Sequence, residues 1–399
     1  MNFLAAAPKK RINSIDLLRG IIMVIMAIDH VRDFFHITAS TDSPTNLLTT
    51  TPQLFFTRWI THFCAPVFVL LAGTSAYLSG IKKTSDQLSS FLIKRGFWLI
   101  LIEVFVMSFI FTFNPFYNVI IFQVIWATAI SMILLGFAIR LGVSAHWILM
   151  IGLIIVCCHD LLDYPEALRN GKVGFFWTLA HQARFAVYTI YPKHILVILY
   201  PFLPWVGVMF CGYALGQLFN PAFDAVRRKK LLMGIGFLMI VIFLVLRLFN
   251  QYGDPSQWSK QRDGLFTFLS FLNVNKYPPS LMYLTMTLGP SFILLAYFEN
   301  IQNKVSDFFI VYGRVPFFYY ILHFFLVHLM CLFFFFIEGY GKSDIVPKTT
   351  PFLFRPDNFG FSLWGVYAVW LFIIVVLYPL CKKYGEYKKT HRQWWLSYL

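Results

Sequence analysis

Apolar stretches of about twenty residues recur along the whole chain, each long enough to cross the hydrocarbon core of a bilayer as a helix. Only 13% of the residues are charged and 58% are hydrophobic, roughly half the charge of an ordinary soluble domain. The 46 phenylalanines outnumber the 33 lysines and arginines. A soluble fold could not enclose so much apolar surface, so the excess must face lipid. The expected spans are 15–33, 56–80, 92–113, 117–140, 145–163, 195–218, 231–249, 278–298, 316–337 and 362–381. The fold class that follows is an all-α polytopic integral membrane protein of about ten transmembrane helices. With no repeat and no separate soluble segment, residues 1–399 read as one domain. The third and fourth spans are separated only by Asn114-Pro115-Phe116 and read as a helical hairpin. The stretch 172–192 is aromatic but carries Lys172, His181 and Arg184, and reads as an interfacial or re-entrant helix.

The formal net charge of +15 would suit nucleic acid, but its placement excludes that partner. The charges form short clusters between apolar runs, such as Lys9-Lys10-Arg11, Lys82-Lys83 with Lys94-Arg95, Arg227 to Lys230, and Lys382-Lys383 with Lys388, Lys389 and Arg392. Alternate loops hold the higher density, which by the positive-inside rule places both termini in the cytoplasm, as an even number of spans requires. The longer loops, 34–55, 164–194, 250–277 and 338–361, then lie outside and direct attention to that face. The first apolar run lacks a small-residue cleavage site and reads as a retained helix. The six cysteines lie in apolar segments without a CxxC pair or zinc-like spacing, and are expected to be structural and buried.

Ionisable residues inside a span are costly and mark candidate sites. The first helix carries Asp16 and Arg19 at its start and Asp29 and His30 at its far end. His30 lies about 16 Å beyond Arg19 at 1.5 Å per residue. The alternative is that this helix stops near Ile28 and Asp29 begins a wet loop. Arg58 and His62 share a face of the second helix, which Pro66 should kink, and the pair suits an anionic or hydroxyl-rich group. Tyr319, Tyr320 and His323 overlap on the ninth span, where a packing role for His323 and His328 is the alternative. Lys276 precedes Tyr277-Pro278-Pro279, an extended lead into the eighth span, where it could meet phosphate or anchor at the membrane surface. No HExxH, P-loop, GxGxxG or GxSxG occurs, and no metal is expected.

The segments SIDLLRGIIMVIMAIDH and HFCAPVFVLLAGTSAYLSG resemble the opening of the heparan-alpha-glucosaminide N-acetyltransferase family and its bacterial members. VNKYPPSLMYLTMTLGP and YGRVPFFYYILHF resemble it more weakly. The more distant acyltransferase family 3 has a similar first helix, with Asp-x-Leu-Arg and a His eleven residues after the Arg, here Asp16, Leu18, Arg19 and His30. The resemblance implies acyl transfer from acetyl-CoA or another acyl-CoA, without a metal, to an amine or hydroxyl of a glycan or amino sugar. It implies His30 as the base, or His36 through a shorter loop, with Asp29 beside it where the animal enzyme has Asn. Arg58, His62, Lys276 and His323 would hold the acceptor, and Arg95 and Arg314 the phosphates of the donor. A multi-pass protein of a bacterial inner membrane is implied, with the lipid bilayer as its partner and a homo-oligomer compatible. A transporter or flippase for a small or glycan-linked solute, or a membrane protein without chemistry, are the competing readings.

Overall fold

A computed structural model of the protein describes residues 13–182, 186–391 and 393–397. Lys9, Lys10, Arg11, Arg184 and Arg392, which entered the charge and loop expectations, lie outside the described residues. The helices in order are α1 (Asn13–Phe35), α2 (Pro52–Thr61), α3 (Cys64–Gly80), α4 (Ser85–Leu101), α5 (Ser108–Thr112), α6 (Val124–Arg140), α7 (Ala145–Cys158) and α8 (Asp163–Leu168). They continue with α9 (Phe175–Ala180), α10 (Phe202–Leu215), α11 (Ala225–Phe249), α12 (Gly264–Leu272), α13 (Leu281–Phe298), α14 (Lys304–Arg314), α15 (Pro316–Ile337) and α16 (Leu363–Thr390).

Eight helical stretches among the described residues are long and apolar enough to cross a membrane. Helices α2 and α3 together make one of them, and α4 runs through a π-helical turn (Ile102–Met107) into α5 to make another. Helix α1 has 23 residues but carries Asp16, Arg19, Asp29, Arg32 and Asp33, and α6 has 17. Each of the ten expected segments holds one of these ten helical elements.

Helix α1 is the axis of the molecule, packed against α3, α13, α14, α15 and α16. Its crossing with α14 is backbone on backbone. A Cβ on Gly20 would stand 1.9 Å from the Phe309 carbonyl oxygen, and one on Gly313 would stand 1.8 Å from that of Asp16. The crossing of α3 and α10 repeats the device with Gly73 and Gly212. Small residues permit such approaches where lipid removes the hydrophobic drive between helices.

Pro66, expected to kink the second span, follows the irregular turn that joins α2 to α3, and that turn has a local cause. Lacking an N–H, Pro66 leaves the His62 carbonyl without its helical donor. That carbonyl accepts instead from the Tyr283 hydroxyl on α13 at 2.7 Å.

The all-α expectation requires a correction. Strands β1 (Val119–Phe122), β2 (Ala186–Tyr191) and β3 (His194–Ile198) form a three-stranded sheet in the order β1-β3-β2. β1 pairs with β3 in parallel, and β2 with β3 antiparallel. The expected helical starts at 117 and 195 are therefore strands. Among the described residues of 172–192, the elements are the short helix α9 and the strand β2 rather than one interfacial helix. The short runs VIIF, AVYTIY and HILVI are rich in β-branched residues, which favour extended backbone. The hairpin prediction holds in that α4 packs along α6, with β1 inside the connection.

Two buried arginines fix the long loops. Arg247, at the end of α11, donates to the carbonyls of Ser256, Ser270, Phe271 and Asn273. Arg355 donates to those of Phe34 and His36. Of the six free cysteines, Cys157 and Cys158 are exposed, contrary to the expected burial, because most of α7 faces outward.

Candidate active site

One cavity of about 670 Å³ runs beside α1. Its two ends have different chemistry. The distal end, at the C-terminal part of α1, is lined by Asp29, His30, Lys276 and Tyr320. The proximal end, by the start of α1, carries Arg19, Lys83, Arg95, Arg314 and Lys388. Between them lies an apolar waist that includes Cys64, Ala65, Phe68 and Ala72. Pockets of roughly 300–1,000 Å³ enclose cofactor-sized ligands.

Helix α1 continues to Phe35, so Asp29 and His30 are helical and the wet-loop alternative falls. Successive residues diverge by about 100° around a helix. Asp29 therefore points toward α2, where its carboxylate pairs with Arg58, and it also accepts from Arg32 Nη2 at 2.9 Å. Arg32 bonds Asp33 as well, at 2.6 Å. Arg58 donates to the Tyr277 phenol, which in turn bonds Tyr200. Burial pushes the Tyr277 phenol up, but the neighbouring Lys276 ammonium and Arg58 guanidinium outweigh it and hold the group below its usual range.

His30 turns the other way, toward α15. Its Nδ1 lies 2.7 Å from His323 Nε2, and His323 Nδ1 lies 2.9 Å from the Tyr319 carbonyl oxygen. A carbonyl only accepts, so His323 carries its proton on Nδ1 and presents a lone pair at Nε2. His30 must then donate from Nδ1, which leaves its own Nε2 as an unprotonated acceptor. The His30 ring stacks on Phe324 with centroids 3.9 Å apart, and Tyr320 meets it edge-on. The Tyr320 hydroxyl has no hydrogen-bond partner among the described residues.

The other expected residues are distributed unevenly. Lys276 is 8% exposed and lines the cavity, so it is no membrane-surface anchor. The backbone at Lys276–Pro279 is a turn with a cis Tyr277–Pro278 peptide rather than the extended lead expected. Arg95 and Arg314 line the proximal end. His323 supports His30 instead of lining the cavity, and Arg58 is committed to Asp29. His62 is buried outside the cavity lining, against the Tyr283 ring. His36 lies beyond the end of α1 and outside the lining, with its Nδ1 2.9 Å from Thr38 Oγ1. Burial, Arg32 and Arg355 together depress its basicity. His328 bonds the carbonyls of Ile110 and Leu353 at 2.8 Å each, which is the packing role.

Two groups were not singled out from sequence. Tyr320 was placed on a helix face without a task. His159, Asp160, Asp163, Glu166 and His181 come together at the distal pole, and the only trace of this in the sequence is the i, i+4, i+7 spacing of His159, Asp163 and Glu166.

No curated protein matches the chain. Its first part, through α11, does match a family; Lys276, Arg314, Tyr320 and His323 fall beyond that stretch. Residues 11–247, more than half of the sequence, match the family described as heparan-alpha-glucosaminide N-acetyltransferase, catalytic, and the chain belongs to that family.

Proposed function

We propose that this membrane protein transfers an acyl group, acetyl in the simplest case, from acyl-CoA to an amine or hydroxyl of a glycan or amino sugar. The observation that carries the reading is the single cavity joining a cluster of five basic side chains to the His30 imidazole. The family match gives the same reaction class.

In this reading the donor's phosphates meet Arg95 and Arg314, with Arg19, Lys83 and Lys388 around them. The pantetheine arm lies along the apolar waist and brings the thioester to His30. The acceptor arrives from the distal pole, beside Lys276. His30 Nε2 takes the acceptor's proton as the nucleophile attacks the thioester carbonyl. The new C–N or C–O bond leaves a tetrahedral oxyanion, which the Lys276 ammonium and the Tyr320 hydroxyl stabilise. Collapse breaks the C–S bond, and the proton on His30 passes to the departing thiolate to give free CoA. His323 acts as a positioning residue, because its Nε2 keeps the His30 proton on Nδ1. The Asp29–Arg58–Tyr277 network holds the Lys276 loop in place. All ten helical elements cross the bilayer in this arrangement. The termini and the basic end of the cavity lie in the cytoplasm and the distal pole outside, in a bacterial inner membrane.

The test uses full-length protein in liposomes, with labelled acetyl-CoA on one side and a panel of amino sugars on the other. Acetylated sugar with matching release of CoA is expected, dependent on both substrates. Unmodified sugar crossing the bilayer, with no acetylated product, would replace the enzyme with a transporter.

A further inference from the structure

Asp254 lies in the loop after α11, and its side chain is 0% exposed. It has no part in the transfer steps. A fully buried carboxylate persists only where donors satisfy it, and its donors show what it holds. Oδ1 accepts from the Ser256 N–H at 2.8 Å and stands 4.0 Å from Arg247 Nη1. Oδ2 accepts from the Asn275 N–H at 2.7 Å and from the Ser280 hydroxyl at 2.6 Å.

Asn275 and Ser280 are the two ends of the loop that brings Lys276 to the cavity. The Ser280 N–H closes that loop on the Asn275 carbonyl at 3.1 Å, and Asn275 Nδ2 donates across it to the Pro278 carbonyl at 3.0 Å. Ser280 is also the N-cap of α13, where its hydroxyl accepts from the Tyr283 N–H at 3.0 Å. One carboxylate oxygen thus grips both ends of the loop and the start of the helix that follows. A second acid acts beside it, since Asp160 Oδ2 accepts from the Leu281 N–H at 3.0 Å. On the inner side, Arg58 bonds the Tyr277 phenol. Lys276 has no ion-pair partner among the described residues, and its ammonium lies 5.2 Å from the Tyr277 ring centroid. The loop, rather than a counter-ion, decides where that ammonium stands.

We propose that Asp254 is a positioning residue for acyl transfer: by clamping Asn275 to Ser280 it sets the place of the Lys276 ammonium at the acceptor end of the cavity. The inference rests on the transferase reading, in which that ammonium meets the oxyanion. Displacing such a group by about 1 Å can lower a rate on the order of a hundredfold. The clamp uses both carboxylate oxygens. In Asp254→Asn one oxygen becomes an amide NH2, which only donates, so either the Ser256 N–H or the Asn275 and Ser280 donors lose their acceptor. Ser280→Ala releases the hydroxyl alone and leaves Asp254 beside Arg247.

The experiment uses full-length protein and reads two quantities. The first is turnover in liposomes. Asp254→Asn should lower kcat for acetyl transfer roughly tenfold to a hundredfold and leave the KM for acetyl-CoA unchanged. In a Lys276→Met background the same substitution should lower kcat no further, because the group it positions is gone. The second is amine labelling in detergent. Limited reaction with acetic anhydride, followed by peptide mass spectrometry, compares Lys276 with the exposed Lys260. Asp254→Asn should raise the labelling of Lys276 severalfold relative to Lys260. If that variant does not fold, Ser280→Ala carries both measurements. An equal fall in kcat with and without Lys276, or a labelling ratio equal to that of wild type, overturns the proposal. Wild-type protein without turnover would overturn the transferase reading instead, and the labelling ratio would still show whether Asp254 places Lys276.

Discussion

The proton positions in the His30–His323–Tyr319 chain follow from one carbonyl that can only accept, and they leave His30 Nε2 ready to take a proton. His30→Ala should therefore lower turnover on the order of 10²–10⁴-fold, the usual contribution of a positioned base. His36→Ala and His62→Ala, both outside the cavity lining, should keep most of it. His323→Phe removes the acceptor and should cost activity, while His323→Gln, which retains one, should recover part. Steady-state acetylation rates decide each case, and full activity in His30→Ala would remove the base assigned here. The Asp29 carboxylate serves two guanidiniums, and its side chain is 9% exposed. Asp29→Asn leaves Arg58 buried with a neutral partner, while Arg32 keeps Asp33. Breaking a buried ion pair on one side costs roughly 3–5 kcal/mol, so thermal unfolding in detergent should show a clear loss. A double substitution of Asp29→Leu with Arg58→Met should recover part of it.

Helix α1 shows how elements place these side chains. Its crossing with α14 leaves no room for a Cβ on Gly20 or Gly313, since the obstacle on each side is backbone oxygen rather than a side chain that could turn away. Gly313→Val should separate the two helices, lower the melting temperature by several degrees and displace Arg314 from the cavity. Gly234→Ala, in α11 with open space around it, is the control. It should be neutral or stabilising by up to about 1 kcal/mol, the helix-propensity difference. A melting temperature for Gly313→Val equal to that of wild type would mean that the crossing is not tight. The spans, the hairpin and the irregular turn at Pro66 were legible in the sequence because each depends on local length, apolarity or a missing N–H. The three short strands were not, since β1 and β3 adjoin helices and their pairing joins segments 76 residues apart.

At the scale of the whole molecule, the cavity separates a basic end from the end that holds His30, and the roles proposed for the two should be separable by experiment. Arg95→Glu and Arg314→Glu should raise the KM for acetyl-CoA by about tenfold or more, as the loss of a charged contact worth over ~1.4 kcal/mol requires. The same variants should leave acetyl-pantetheine, which lacks the nucleotide phosphates, almost unaffected. Equal losses with both donors would show that these arginines support the fold rather than the phosphates. The outward faces of α7, of α11 after Lys230 and of α16 before Lys382 are apolar and meet lipid, whereas the buried face of α1 carries the charge.

By itself the sequence determined that the chain lies in a bilayer, where its helices run, and that the far end of the first helix carries an unusual acid and imidazole. Those conclusions rest on composition and on spacing along one element, which the chain carries without folding. Only the tertiary structure decided which histidine faces the cavity, that Arg58 is spent on Asp29, that His323 orients His30, and that Lys276 is buried. Each is a contact between residues tens to hundreds of positions apart, and no periodicity encodes which neighbour a packed side chain will meet.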